Sequence, residues 1–383
     1  MKKIVILLYL ICFSSVLAGC WDLDENERMY YVHGAGIDYK DGLYEVSLQI
    51  ISFSNVAKSD QVNQDAIQSE VTTFTGKTPD EAFSKHYNAL DEKVFWGHFS
   101  FIVFGQDALK DNRLNAMIND VTRYSDTRYN TWVYTTKEPL KDLLIALPLL
   151  KRSITLTKLA DPLNSFEQQS YVEPINIRKL ILHLNEPGYE VNIPFVEFKS
   201  GWMNQKGMED QTIEIGGVGI ISKNEFKGII KNKDADGLKW VSKETISARV
   251  TSTFENNEPF SATANDITFK IEPIMNGNDV KFDINVTLTA SLGSFTGKVN
   301  ATDIKKAVSK QIKKEIEDTY KKGLEMDVDI YELSEVLYRK NLKLFKKLEN
   351  EGKIELTEDS IRNIEVDVQK VETGRKSFEE TIE

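Results

Sequence analysis

Residues Val280 to Ala290 carry the strictest pattern in the chain. Val280, Phe282, Ile284, Val286, Leu288 and Ala290 alternate with Lys281, Asp283, Asn285, Thr287 and Thr289. A strand points successive side chains to opposite faces, so this run reads as a strand with one buried and one wet face. Asn276-Gly277 lies just before it, and Asn-Gly readily adopts the positive φ of a two-residue hairpin turn. Ile267–Ile274 is therefore expected to pair with it antiparallel. Two helices follow. The first starts near Thr302-Asp303, with Ile304, Val308, Ile312, Ile316 and Tyr320 on one side and Gly323 as its stop. The second is expected from Asp329, with Glu332 in its first turn and Ile330, Leu333, Val336, Leu337, Leu344, Phe345 and Leu348 on its face. Ile364, Val366 and Val368 mark a last strand. Strands, paired helices and a final strand give an α+β fold with mixed and antiparallel sheets and packed helices.

The N-terminal half alternates helix and strand signals. Asp41-Gly42 between two β-rich runs predicts a hairpin over Met29–Ile51. The polar stretch 52–70 reads as an exposed loop. Thr78-Pro79-Asp80-Glu81 is a capping box with Pro at the first helical position, and Phe83, Tyr87 and Leu90 are the expected buried stripe. His98–Gly105 reads as a central strand, Leu114, Met117, Ile118 and Val121 as a helix face, and Asn130–Tyr134 as a strand. Helices are expected around Leu140–Leu147, stopped by Pro148, and around Ile177–Leu184. The stretch 199–211 is polar, Gly-bearing and without period, so it is expected to be a linker. Beyond it, Ile213–Ser222 and Phe226–Ile230 flank Lys223-Asn224-Glu225 as a second hairpin. The expected organisation is a leader at 1–19, an N-terminal mixed α/β domain at 20–198, and a C-terminal antiparallel-sheet-plus-helices domain at 212–383.

The first twenty residues, MKKIVILLYLICFSSVLAGC, constrain the chemistry further. Lys2 and Lys3 precede an apolar run from Ile4 to Leu17 that is too short to span a bilayer. That is the layout of an export signal. Leu17-Ala18-Gly19-Cys20 resembles the bacterial lipobox, in which the Cys thiol receives a diacylglyceryl group and cleavage makes that Cys the new N-terminus. The expected lipid attachment site is Cys20. Cleavage would leave 364 residues and change the formal net charge from −11 to −13, because two Lys and no acid depart. Cys12 would leave with the leader and the sulfur of Cys20 would carry lipid. A disulfide, a thiolate nucleophile and a Cys metal ligand are then excluded. A second acyl chain makes such a tether stable where one chain would not be.

The remaining residues favour binding over catalysis. Net negative charge argues against nucleic acid as a partner. Asn232-Lys233-Asp234-Ala235-Asp236-Gly237 matches the first half of a calcium loop, but Lys243 stands where the bidentate Glu is needed. Gly34 and Gly36 complete no phosphate-binding motif and are expected to mark a bulge or a close backbone approach. The four His are scattered, and His98 beside Trp96 reads as structural. Neither a cofactor nor a metal is expected, and no enzymatic activity.

Specific residues then carry a resemblance. Gly19-Cys20-Trp21-Asp22 is followed by Glu25 and Glu27 and by Gly34-Ala35-Gly36-Ile37-Asp38. Val94-Phe95-Trp96-Gly97-His98 runs into Ile102-Val103-Phe104-Gly105. Together these resemble the Ger(x)C family of spore germination lipoproteins, the C subunits of germinant receptors. Gly217–Ile229 is similar to that family's C-terminal hairpin, with Gly219, Ile220 and Ile221 in place of its Ala-Val-Phe. The resemblance implies a lipid-anchored subunit on the outer face of the inner spore membrane, assembling with membrane-bound A and B subunits to trigger germination. It implies three domains, the third arising from a division near 256–262 or from part of 150–198. It also makes Trp21, Asp22, Trp96 and His98 candidates for assembly. Trp96 and His98 are expected to share one face of a strand. The competing function is a solute-binding lipoprotein of a transporter, which would fold as two parallel-sheet lobes around a cleft.

Overall fold

Met29–Lys40 (β1) and Leu43–Ile51 (β2) form the predicted hairpin, with Asp41 and Gly42 both at positive φ in its turn. The register of β1 slips between Val32 and Gly34. A Cβ on Gly34 would fall inside the Phe101 ring, so the bulge and the close approach expected there coincide at one residue. This computed structural model describes residues 28–51, 67–123, 128–222, 225–254, 258–294 and 300–372. The leader, Cys20, Trp21, Asp22 and most of the 52–70 loop lie outside the described residues, as do Lys223 and Asn224 of the second turn.

Ser69–Gly76 (β3) adds to β2, so the last part of the expected loop is a strand instead. Pro79–Ala89 (α1) follows. The Thr78 hydroxyl accepts the Glu81 amide at 3.1 Å, while Glu81 reaches back to the Lys77 amide at 2.8 Å. The buried residues of α1 are Pro79, Ala82, Phe83 and His86, whereas Tyr87 is exposed. The expected stripe through Tyr87 and Leu90 is thus rotated, because His86 enters the core by bonding the Thr72 hydroxyl at 2.6 Å and the Val46 carbonyl at 3.2 Å.

Lys93–Phe95 (β4) is short, and Phe101–Gly105 (β5) is wholly buried. Arg113–Arg123 (α2) buries Leu114, Met117, Ile118 and Val121, as its spacing predicts. Trp132–Thr136 (β6), Leu140–Ile145 (α3), Leu163–Gln168 (α4), Ile175–Asn176 (β7) and Ile177–Asn185 (α5) complete the region. Val191–Met203 (β8) and Glu209–Ser222 (β9) then form a long antiparallel hairpin, and Glu225–Lys231 (β10) pairs with β9. The stretch read as an aperiodic linker is the far end of this hairpin. Exposed on both faces, its strands need no apolar alternation, so the sequence carries no period there.

Among the described residues, one ten-stranded sheet runs β10-β9-β8-β6-β5-β1-β2-β3, with β4 beside β1 and β7 beside β6. Its β1-β5-β6-β8 centre is parallel, and its hairpins are antiparallel. One face packs Phe83, Met117 and Leu180 from α1, α2 and α5. The other packs Leu140, Leu143 and Leu144 from α3.

The second sheet joins Ser247–Thr253 (β11), Pro259–Asn276 (β12), Asp279–Leu292 (β13) and, at the end of the chain, a strand over Ile361–Glu372. In β13, Phe282, Ile284, Val286, Leu288 and Ala290 are all buried. Ala301–Glu325 (α6) lies on this sheet with Ile304, Val308, Ile312, Ile316 and Tyr320 inward. Gly323 does not end it: the helix continues two residues, and the Gly323 carbonyl takes the amides of Met326 and Val328. The second helix starts later than predicted and is broken. Glu332 is its N-cap, at a left-handed φ of 58°, before Leu333–Lys340 (α7). Asn341 interrupts it and recaps Leu342–Leu348 (α8) by accepting the Leu344 amide at 3.0 Å. The buried Asp329 carboxylate, expected at the helix start, instead accepts the Leu333 and Ser334 amides at 2.9 and 2.6 Å and caps α7 from outside. Glu349–Asn350 (β14) pairs with Lys353–Ile354 (β15), and the last strand (β16) lies parallel to β13. The fold is therefore α+β with mixed sheets, as the sequence pattern predicts. Among the described residues, no helix is long and apolar enough to cross a membrane.

Candidate functional site

The Trp96–His98 segment does not continue a strand. β4 ends at Phe95, and the Phe99 amide bonds the Trp96 carbonyl at 2.9 Å, closing a turn over Gly97-His98. The turn sends the two rings apart, overturning the expectation of a shared strand face. Half-buried Trp96 meets Phe83 and Phe99 edge-on at 5.9 and 5.5 Å, and its indole N–H donates to the Tyr87 hydroxyl at 3.0 Å. His98 goes the other way, onto Tyr31 and Phe95 at 5.4 and 6.0 Å. Burial, and then the Arg128 charge, lower its pKa. His98, Arg128 and Asn130 line a shallow hollow of about 140 Å³. Two other histidines are buried, His86 in α1 and His33 in β1, and sequence reasoning singled out neither. For His33 the partner is Gln49: its Nδ1 lies 2.7 Å from the Gln49 side-chain oxygen, and burial drives its pKa down to about 4.

A separate crevice lies where the Val172–Asn192 region faces residues 238–271 and 330–340. Its volume is about 360 Å³. His183 and Tyr189 stack at its edge with ring centroids 3.9 Å apart. Glu173 accepts Lys179 at 2.6 Å and the Ser242 hydroxyl at 2.7 Å. Arg339 bridges Glu335 and Glu186 at the rim. Asn192 presents a buried side-chain oxygen with no hydrogen-bond partner among the described residues. Glu332 combines a left-handed backbone with a carboxyl that burial pushes up to about 8, against the pull of the Tyr189 hydroxyl. A strained residue at a polar crevice points to function. Paired charges, a ring stack and one open acceptor suit recognition. Nothing in the local sequence foretold this site, because its walls come from separate segments, 172–192, 238–243, 269–271 and 330–340.

Beside it lies a buried polar knot. Glu190, just before β8, accepts the Asp329 amide at 2.7 Å and the Ser222 hydroxyl at 2.6 Å, with Lys353 Nζ 3.4 Å away. Burial raises the pKa of both Glu190 and Asp329. The calcium-loop-like segment forms a 3₁₀ helix over Asn232–Trp240, and Asp236 pairs with Lys239. No three metal-ligating side chains converge among the described residues.

The three raised carboxyls set a pH dependence. Each binds a proton in the folded state at pH values where the unfolded chain has released it. Stability should therefore fall as pH rises from about 5 through about 8. Glu332→Gln keeps the acceptor for Tyr189 and removes the titration. Thermal melts at pH 6 and pH 8.5 should differ less in this variant than in the wild type. An unchanged difference would clear Glu332 of that role.

Two family models match the chain in succession. The one described as "Spore germination protein N-terminal domain" matches residues 22–198. "Spore germination B3/GerAC like, C-terminal" matches residues 216–374. The chain belongs to the GerAC-like family of spore germination proteins. Curated relatives span most of it. Spore germination protein B3 of Bacillus subtilis (strain 168) is 24% identical over 319 residues, covering 82% of this chain and 79% of the relative. Spore germination protein KC of the same organism is 21% identical over 372 residues, covering 91% and 90%. The crystal structure of the GerBC protein superposes with a TM-score of 0.54 at 15% identity, over 88% of this chain and 96% of that one, and so shares the fold. Membership assigns the protein a role in spore germination.

Proposed function

We propose that this protein is the membrane-tethered lipoprotein subunit of a nutrient germinant receptor, and that it acts by assembly with the receptor's A and B membrane subunits. The succession of the two germination models directly behind the Leu17-Ala18-Gly19-Cys20 box is the observation that carries this reading. Diacylglyceryl-Cys20 would hold the chain at the outer face of the inner spore membrane. The division at 20–198 and 212–383 belongs to the same reading as a division of the sequence, while in the fold β9 and β10 complete the first sheet. The absence of catalysis belongs to it too. A transporter's solute-binding lipoprotein is disfavoured. The described strands form one ten-stranded and one four-stranded mixed sheet and a two-stranded β14–β15 pair, with no pair of matched parallel lobes around a cleft among them.

Cys20→Ala is expected to leave the protein unprocessed or soluble and to slow germination. Mass spectrometry of the mature N-terminus should find the diacylglyceryl group on Cys20 in the wild type. A variant that stays fully membrane-bound and germinates normally would refute the anchor.

For Trp21, directly after the lipidated residue, the same reading gives the membrane–water interface or a partner surface, and for Asp22 solvent or a partner's cation. Trp96 and His98 are assigned to assembly through separate surfaces. Trp96 is only half-buried, so Trp96→Ala should cost about 2 kcal/mol, roughly half the loss of a fully buried ring. Paired melting and pull-down measurements separate folding from assembly. A variant that melts as expected for that loss but keeps all its partners would remove Trp96 from the interface.

A further inference from the structure

We propose that a ridge formed by the Leu150–Leu156 loop and the tip of the β8–β9 hairpin contacts the lipid surface, inserting apolar side chains among anionic headgroups. Leu150 and Met203 protrude, with 83% and 72% of their surfaces exposed, and Leu156 and Trp202 beside them are about half exposed. Leu150, Leu156 and Trp202 line one open groove of about 690 Å³. Protruding apolar residues next to cations are the signature of a surface that lies in the headgroup layer.

Charge supports the same occupant. Exposed Lys151 and Arg152 directly follow Leu150, and Lys158 lines the groove. The segments 145–163 and 199–211 together carry two more cations than anions, in a chain of net charge −11. A cationic patch on an acidic protein is attracted to anionic lipid while the rest of the body is repelled.

Position supports it independently. The ridge loop is fixed next to the point where the N-terminal segment enters the fold: Met29 and Tyr31 at the start of β1 cluster with Ile154 and Leu147. Cys20 lies nine residues before Met29, so full extension separates them by no more than about 30 Å. An anchor at Cys20 would hold this end of the protein against the membrane. The proposal thus rests on the anchoring reading. The backbone adds a further sign, since Leu150 and Lys151 both hold positive φ, 61° and 50°, a conformation that L residues rarely adopt.

The test uses the full chain, lipid-modified at Cys20, reconstituted in vesicles of phosphatidylglycerol or phosphatidylcholine with brominated acyl chains. Subtracting the emission of Trp202→Phe isolates the quenching of Trp202. Strong Trp202 quenching is expected in phosphatidylglycerol and weaker quenching in phosphatidylcholine. Leu150→Glu should abolish it. Each of Lys151→Gln and Arg152→Gln should lower the docked-to-undocked ratio about fivefold in anionic vesicles. A chain that floats with the vesicles but leaves Trp202 unquenched overturns the ridge and spares the anchor. A chain that fails to float overturns both. Trp202 that stays unquenched by lipid yet becomes shielded when receptor membrane proteins are added would assign the ridge to a protein partner and contradict the proposal.

Discussion

Truncating Trp240 to alanine is expected to destabilise the protein by about 3–5 kcal/mol, the cost of deleting a fully buried large ring. Trp240 has no exposed surface and ends the 3₁₀ helix that lies against α6. Its indole N–H donates to Glu315 at 2.7 Å, and the same carboxylate holds Lys239 at 3.1 Å and Gln311 at 3.0 Å. Nearby, the Gly237 amide donates to the Thr319 hydroxyl at 2.9 Å, and the backbone there is too close to Tyr331 and Glu315 to admit a side chain. Truncation opens a cavity and also strips a donor from a nearly buried carboxylate. Trp240→Phe separates the two costs. It retains most of the ring's packing and loses the donor, so it should cost roughly 1–3 kcal/mol. Urea melts of the three proteins should rank wild type, Phe, Ala. A loss below about 1 kcal/mol for the alanine variant would contradict the packing described here.

Glu190→Ala is expected to cost about 3 kcal/mol, the lower end of the range for breaking a buried ion pair. The change leaves the Asp329 amide and the Ser222 hydroxyl without their acceptor and removes a partner of Lys353. It also relieves the repulsion between Glu190 and Asp329, which is why the loss should not reach the top of that range. Glu190→Gln keeps one acceptor oxygen and should lose about half as much. Glu190 joins the start of β8 to the loop that caps α7, so its loss should also loosen the crevice wall bearing Glu332. Hydrogen exchange should then quicken at the amides of Leu333 and Ser334. Unchanged protection there would place the knot's role in β8 alone.

Local patterns carried much of this fold. The Asp41-Gly42 turn, the capping box at Thr78, the α2 face and the alternation in β13 all stand where the residues indicate, because each is decided within a few positions. The β12–β13 turn falls one residue later than its Asn276-Gly277 signal, on Gly277 and Asn278, because Asn276 pairs with Asp279. The errors arise where a distant partner decides. His86 entered the core in place of Tyr87 because Thr72 and Val46 offered hydrogen bonds from neighbouring strands. The helix expected from Asp329 broke because the Asp329 side chain caps from outside and Asn341 competes for the backbone. Residues 199–211 gave no period because both faces of that hairpin end are wet. The segment 247–253 was missed as a strand because β12 completes it. At the functional level, the proposed lipobox at Leu17–Cys20 is legible because such a box is a linear motif. The crevice is not, because Glu173, Tyr189, Asn192 and Glu332 meet only after both halves have folded.

The central claim is that the protein works as an assembled, membrane-anchored subunit. Affinity purification of a tagged chain from detergent-solubilised spore membranes tests it most directly. The claim predicts recovery of the A and B receptor subunits with the wild type and their loss with Cys20→Ala. Recovery of the wild-type chain alone from spores that germinate normally, with no membrane protein bound, would contradict it.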